Sequence, residues 1–79
     1  MATALLPAQH LEDLHLTEGV ARALSATGYP SLRTVDVSVC DGQVVLRGRI
    51  HSYYMKQVAQ AVALAVPGVL GLRNELDVA

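Results

Sequence analysis

Between Arg33 and Ile50 the chain alternates with a period of two. Val35, Val37 and Val39 are separated by Thr34, Asp36, Ser38 and Cys40, the pattern of a strand with one covered face. Asp41-Gly42 follows, and a type I′ hairpin turn selects that dipeptide because both central residues take positive φ. With those two as the loop, Cys40 faces Gln43, Val39 faces Val44 and Val37 faces Leu46. Val35, Val37, Val39, Val44, Leu46, Gly48 and Ile50 then share one face, and Asp36 falls opposite Arg47 on the other.

On either side of the hairpin the period lengthens. Thr17 is placed to cap a short helix carrying Val20, Ala21, Leu24 and the stem of Arg22 to about Ala26, with Gly28 and Pro30 ending it. Residues 1–16 read as a partly apolar lead-in. Pro7 interrupts an early helix, and Leu5, Leu6, Leu11, Leu14 and Leu16 follow no single period, leaving at most a helical turn around Gln9–His15. Ser52 is the expected N-cap of a second helix reaching Val66. At about 100° per residue, Met55, Val58, Ala59, Val62, Ala65 and Val66 fall on one arc, the expected core stripe. Pro67-Gly68 stops this helix. Leu70, Leu72, Leu76 and Val78 then return to period two, interrupted by Asn74, and define a third strand over Val69–Val78.

The order αββαβ predicts an α+β two-layer sandwich, with two helices on one face of a three-stranded mixed sheet. The second strand takes the middle, antiparallel to the first and parallel to the third. Arg47 and Arg49 then stand between Asp36 on one side and Glu75 or Asp77 on the other. Residues 17–79 form the domain.

Size and composition sharpen this picture. Seventy-nine residues suffice for one small core that buries roughly 60% of the unfolded surface, so a small chain usually needs a staple. The single Cys40 forbids an internal disulfide, and one cysteine with three scattered histidines is a poor match to a four-ligand zinc site. Association with another surface is the remaining staple. The chain is 52% apolar and only 16% charged, against about 25% charged in an ordinary soluble domain. A net charge of -1 supplies no global attraction to nucleic acid. The longest apolar run, Ala61–Val66, is far too short to span a membrane. Met1–Ala8 lacks a basic n-region and a long apolar h-region, so a cytoplasmic location is expected, or a periplasmic one for a processed fragment.

Candidate chemistry is sparse. Cys40 has no histidine near it in sequence, and Ser52 is explained as a cap, so no catalytic residue is assigned. His10 and His15 are five apart rather than four, and His51 opens the second helix, so no metal site is expected. Gly42, Gly48, Gly68 and Gly71 lack the strand, glycine-rich turn and helix that cradle a phosphate; Gly48 is read as letting the second helix approach the sheet. No cofactor is expected. Arg47, Arg49 and Arg73 make the open sheet face locally basic, either as a site for phosphate headgroups or as a solvated ion-pair ladder with Asp36, Glu75 and Asp77. No aromatic residue alternates with them to stack a base, and the ladder is the favoured reading.

The back of the second helix is more informative. Tyr53, Gln57, Gln60 and Leu64 lie opposite the core stripe, flanked by Tyr54, Ala61 and Ala63, and Lys56 is the only charge on that helix. An outer helix face normally carries several charges, whereas weakly polar surface edged by aromatics marks contact sites. Tyr53, Tyr54, Gln57, Gln60, Ala61 and Leu64 are therefore the expected interface, with Leu5–Leu16 as a second adhesive segment.

The segments "TVDVSVCDGQVVLRGRI", "VAQAVALAV" and "PGVLGLRNELDV" together resemble the BON domain, named for bacterial osmotic-shock and nodulation proteins. Asp41-Gly42 matches the turn of that family, Val44-Val45-Leu46-Arg47-Gly48 its valine-x-leucine-x-glycine strand, Pro67-Gly68-Val69 its Pro-Gly-Val, and Asn74 the asparagine of its last strand. The match covers about Thr17 to Val78. The resemblance implies an αββαβ fold and a non-catalytic binding module, some of whose relatives bind phospholipid surfaces. Two functions follow as expectations: assembly through protein–protein contacts, with a homo-oligomer or a protein partner, and peripheral binding to anionic phospholipid.

Overall fold

A computed structural model describes residues 7–79, with side chains described from Leu11 onward. Leu5 and Leu6, expected within the adhesive lead-in, lie outside the described residues, as do the side chains of Gln9 and His10. The chain forms α1 (Pro7–Ala26), a single 3-10 turn (Pro30–Thr34), β1 (Asp36–Cys40), β2 (Gln43–Ile50), α2 (Tyr53–Leu64) and β3 (Gly71–Val78).

The hairpin has the expected register. Val37 pairs with Leu46, Val39 with Val44 and Cys40 with Gln43, around a turn in which Asp41 and Gly42 have φ of 53° and 80°. The sheet order is β1-β2-β3. In the parallel β2–β3 pairing, Val44 meets Leu72, Arg47 meets Glu75 and Ile50 meets Val78. Leu70 N–H donating to the Gly42 carbonyl (2.9 Å) and Ala79 N–H donating to the Ile50 carbonyl (2.8 Å) extend that pairing at both ends.

Both helices cover one face of this sheet. Val20 and Leu24 from α1, Leu32 from the 3-10 turn, Val44, Leu46 and Ile50 from β2, Ala59 and Ala63 from α2, and Leu76 from β3 form one buried core. No residue of that core is polar. The Ser52 side chain caps α2 by accepting from the Met55 N–H at 3.2 Å.

Several expectations about local structure change. Helix α1 begins at Pro7 rather than at Thr17. Proline is tolerated at the first helical position, where its missing N–H would have no partner anyway. Thr17 is interior to the helix, and its hydroxyl donates back to the Asp13 carbonyl at 2.8 Å, the bond a mid-helix threonine makes. Of the residues that this helix carries, Val20 and Leu24 are buried while Ala21 and Arg22 are exposed. On α2 the core stripe is rotated: Ala63 is fully buried while Ala65 is exposed. Small side chains at Ala59 and Ala63 seat the helix on the sheet, and Val58 and Val62 pack at its shoulder.

Strand β3 begins at Gly71, leaving Leu70 outside it and 76% exposed. Gly48 has a φ of 138°. The three atoms nearest to a Cβ there belong to Val35, Leu76 and Thr34, none of them on α2, and all lie at ordinary contact distance. Backbone conformation, rather than close approach of the second helix, requires glycine at this position.

Candidate interaction surfaces

Helix α2 carries the first candidate surface. Tyr53, Gln57, Gln60, Ala61 and Leu64 line a shallow depression of about 350 Å³. Tyr53 is 64% exposed and Leu64 49% exposed. Their spacing of four, three and four residues from Tyr53 through Gln57 and Gln60 to Leu64 sets them in one row along the helix. Among the described residues, no charged side chain lines the depression.

Tyr54, the sixth residue expected on this surface, is turned aside. Its ring meets Tyr29 edge-on, with centroids 6.5 Å apart and planes at 83°. Hydrogen bonding with Tyr54, then the charge of a second phenolate and a little desolvation, raise the Tyr29 phenol above its ordinary pKa. Tyr54 thus fastens α2 to the segment after α1, although it remains exposed.

Asn74, which interrupts the apolar period of the third strand, anchors the other border of the depression. Its amide donates to the Lys56 carbonyl at 3.0 Å and to Gln60 Oε1 at 3.3 Å, while its Oδ1 accepts from the Leu76 N–H at 3.2 Å. Sequence periodicity registers Asn74 only as a break. In the fold it ties β3 to α2 and orients Gln60.

The open face of the sheet is the second candidate. Arg47 Nε donates to Glu75 Oε1 at 2.8 Å, and Arg73 Nε lies 3.4 Å from Glu75 Oε2. Asp36 stands opposite Arg47, and Asp77 opposite Arg49. Glu75 is held below the ordinary carboxylate range chiefly by its hydrogen bond to Arg47, which outweighs an opposing desolvation, with the charges of Arg47 and Arg73 lowering it further. The Arg47 guanidinium is raised chiefly by the same hydrogen bond. The structure therefore brings Arg47 and Arg73 together around one carboxylate and places Arg49 across from another. Three guanidinium groups face three carboxylates.

Two further features were not legible in the sequence. Asp13 on α1 reaches the hairpin turn, where Oδ2 accepts from the Asp41 N–H (3.1 Å) and Oδ1 from the Gly42 N–H (3.3 Å). Successive turn amides form a small cradle for an anion, and here the chain's own carboxylate fills it. The second feature is a depression of about 420 Å³ between α1 and the turn after α2, lined by Glu12, His15, Leu16, Val66, Pro67 and Gly68. Both depend on the N-terminal half of α1, the element least visible in the sequence.

Among the described residues no group of three or more His, Cys, Asp or Glu side chains is placed to hold a metal ion. Cys40 is an exposed free thiol, 4.0 Å from a carboxylate oxygen of Asp41. No described helix is long and apolar enough to cross a membrane.

Two helices on one face of a three-stranded mixed sheet define a small α+β domain. The model of the BON domain matches residues 12–79, and the chain belongs to that family. BON domains are non-catalytic binding modules, connected with phospholipid and osmotic stress. No curated protein matches the chain.

Proposed function

We propose that this BON domain is an assembly module, binding protein through the outer face of α2 and, in the first instance, a second copy of itself. The observation that carries this reading is the uncharged depression along α2, with an exposed tyrosine at one end and an exposed leucine at the other. Tyrosine supplies a large, stiff contact area at low entropic cost, and such residues dominate binding energy at protein interfaces. An unpartnered row of this kind on a chain with 16% charged residues gains stability by being covered.

The charge balance of the open sheet face weighs against the alternative, peripheral binding to anionic phospholipid through Arg47, Arg49 and Arg73. A headgroup would have to displace Glu75 from two of the three arginines. An anionic membrane surface rewards a cluster of basic residues by about 1 kcal/mol each. A face with as many carboxylates as arginines gains little.

Light scattering across a concentration series tests the proposal. The wild-type chain is expected to increase in mean mass with concentration. The Tyr53→Glu/Leu64→Glu variant is expected to remain at monomer mass with unchanged helical circular dichroism. Retention of the higher mass by that variant would overturn the assignment of the surface, and a wild-type chain that stays monomeric would overturn self-association.

A further inference from the structure

The spacing of the α2 row is symmetric about its middle. Tyr53 and Leu64 are equidistant from the middle of the row, and so are Gln57 and Gln60. A two-fold axis perpendicular to the helix, at the level between Val58 and Ala59, sets Tyr53 of one copy opposite Leu64 of the other and Gln57 opposite Gln60. Resting on the reading of α2 as the contact surface, we infer that two copies of the domain pair their α2 helices antiparallel about this axis. Tyr53 of each copy packs on Leu64 of the other, and Gln57 of each faces Gln60 of the other.

Each layer of that pairing is chemically complementary. At the ends, an aromatic ring covers an aliphatic side chain. In the middle, each glutamine has two amide donors and a carbonyl acceptor. Gln60 Oε1 already accepts from Asn74, which leaves its amino group free to donate to the Gln57 carbonyl across the axis. Spacing of four, three and four residues is that of alternating d and a positions in a heptad, the seam along which two helices interdigitate. Ala61, beside the seam, has too small a side chain to hold the helices apart.

Orientation follows from the same residues. In a parallel pair the two helix dipoles lie side by side with like ends together, and in the antiparallel pair they are opposed. The seam lies beside Gln60, on the border of α2 toward β3, while Tyr54 and its contact with Tyr29 lie off the seam. With twelve residues in α2, the seam is about 18 Å long. A contact this short gives a monomer–dimer equilibrium rather than a permanent dimer.

Placing opposite charges on the middle layers distinguishes the orientations. In the Gln57→Lys/Gln60→Glu variant, antiparallel pairing sets each new lysine against a new carboxylate of the other copy, and that carboxylate keeps an oxygen for Asn74. Sedimentation equilibrium is expected to show dimerisation roughly three- to tenfold tighter than wild type at low salt. The Gln57→Glu/Gln60→Glu variant is expected to dimerise at least roughly threefold more weakly. Parallel pairing sets lysine on lysine and reverses the first result. As a second readout in a Cys40→Ser background, a tagged Tyr53→Cys chain mixed with an untagged Leu64→Cys chain is expected to form the mixed disulfide far faster than either chain forms its own.

A dimeric wild-type chain with unchanged or weakened dimerisation of the Gln57→Lys/Gln60→Glu variant, or with like-with-like disulfides, overturns the register while leaving self-association standing. A wild-type chain that is monomeric throughout overturns both.

Discussion

Asp13 does more for the fold than its place on a solvent-facing helix suggests. Its two carboxylate oxygens accept from the successive N–H groups of Asp41 and Gly42, so one side chain joins α1 to the hairpin at the point where the chain reverses. Hydrogen bonds to a charged acceptor are stronger than neutral ones. Asp13→Ala is expected to lower stability by about 1 kcal/mol in urea unfolding, and Glu12→Ala, on the exposed side of the same turn, to leave it unchanged. Equal effects of the two would show that the clamp contributes nothing.

Glu75 has the corresponding place on the open face. Its pKa is depressed in the folded chain, mainly through Arg47, so its stabilising contribution is present above the ordinary glutamate pKa. It is lost as pH falls through the lower, folded value. Carboxyl NMR titration should place the Glu75 midpoint below the ordinary glutamate value, and Arg47→Ala should return it toward that value. A midpoint indifferent to Arg47 would remove the ion pair from the account. The Arg47–Glu75 pair was legible from the strand register, whereas the Asp13 clamp was not. Asp13 and the Asp41-Gly42 turn are far apart along the chain, and a carboxylate on a helix surface looks the same whether or not it reaches a distant amide.

Strands and turns were far more legible than helices. The Asp41-Gly42 dipeptide and the alternating valines specify both turn type and register, and a slip of one residue would put every valine on the wet face. The cap at Ser52 and the stop at Pro67-Gly68 were legible for the same local reason. Helix α1 was not, because Pro7 reads equally as a breaker and as a first helical residue. Its apolar residues straddle both faces: Leu11 and Leu14 are exposed while Val20 and Leu24 are buried.

The rotation of α2 has another cause. Ala63 and Ala65 are the same residue type, and only the seat of the helix on the sheet decides which is covered. Ala63→Leu is therefore expected to cost about 1–3 kcal/mol by overpacking, measured in a denaturant titration, and Ala65→Leu to cost almost nothing. Reversal of that order would restore the stripe expected from periodicity alone. On the outer face of the same helix, the structure gathers five of the six residues expected there into one depression and diverts only Tyr54. Pairing with Tyr29 requires the turn after α1 to be placed, and no local pattern supplies that.

Taken as one body, the domain has a covered sheet face that is entirely apolar in its core, an open face whose charges are balanced, and one long uncharged row on α2. The balance of Arg47, Arg49 and Arg73 against Asp36, Glu75 and Asp77 suits a surface that stays in water. The row on α2 suits a surface that leaves it. Small domains bury a modest share of their surface, and coverage of α2 by a second copy, as proposed, would enlarge the core without lengthening the chain.

The most direct examination of this account is a dilution series of amide NMR spectra on the 79-residue chain. Concentration-dependent shifts are expected to concentrate at Tyr53, Gln57, Gln60, Ala61 and Leu64 and to leave Arg47, Arg49 and Arg73 unmoved. Spectra that do not change with concentration, or shifts centred on the arginines of the open face, would contradict it.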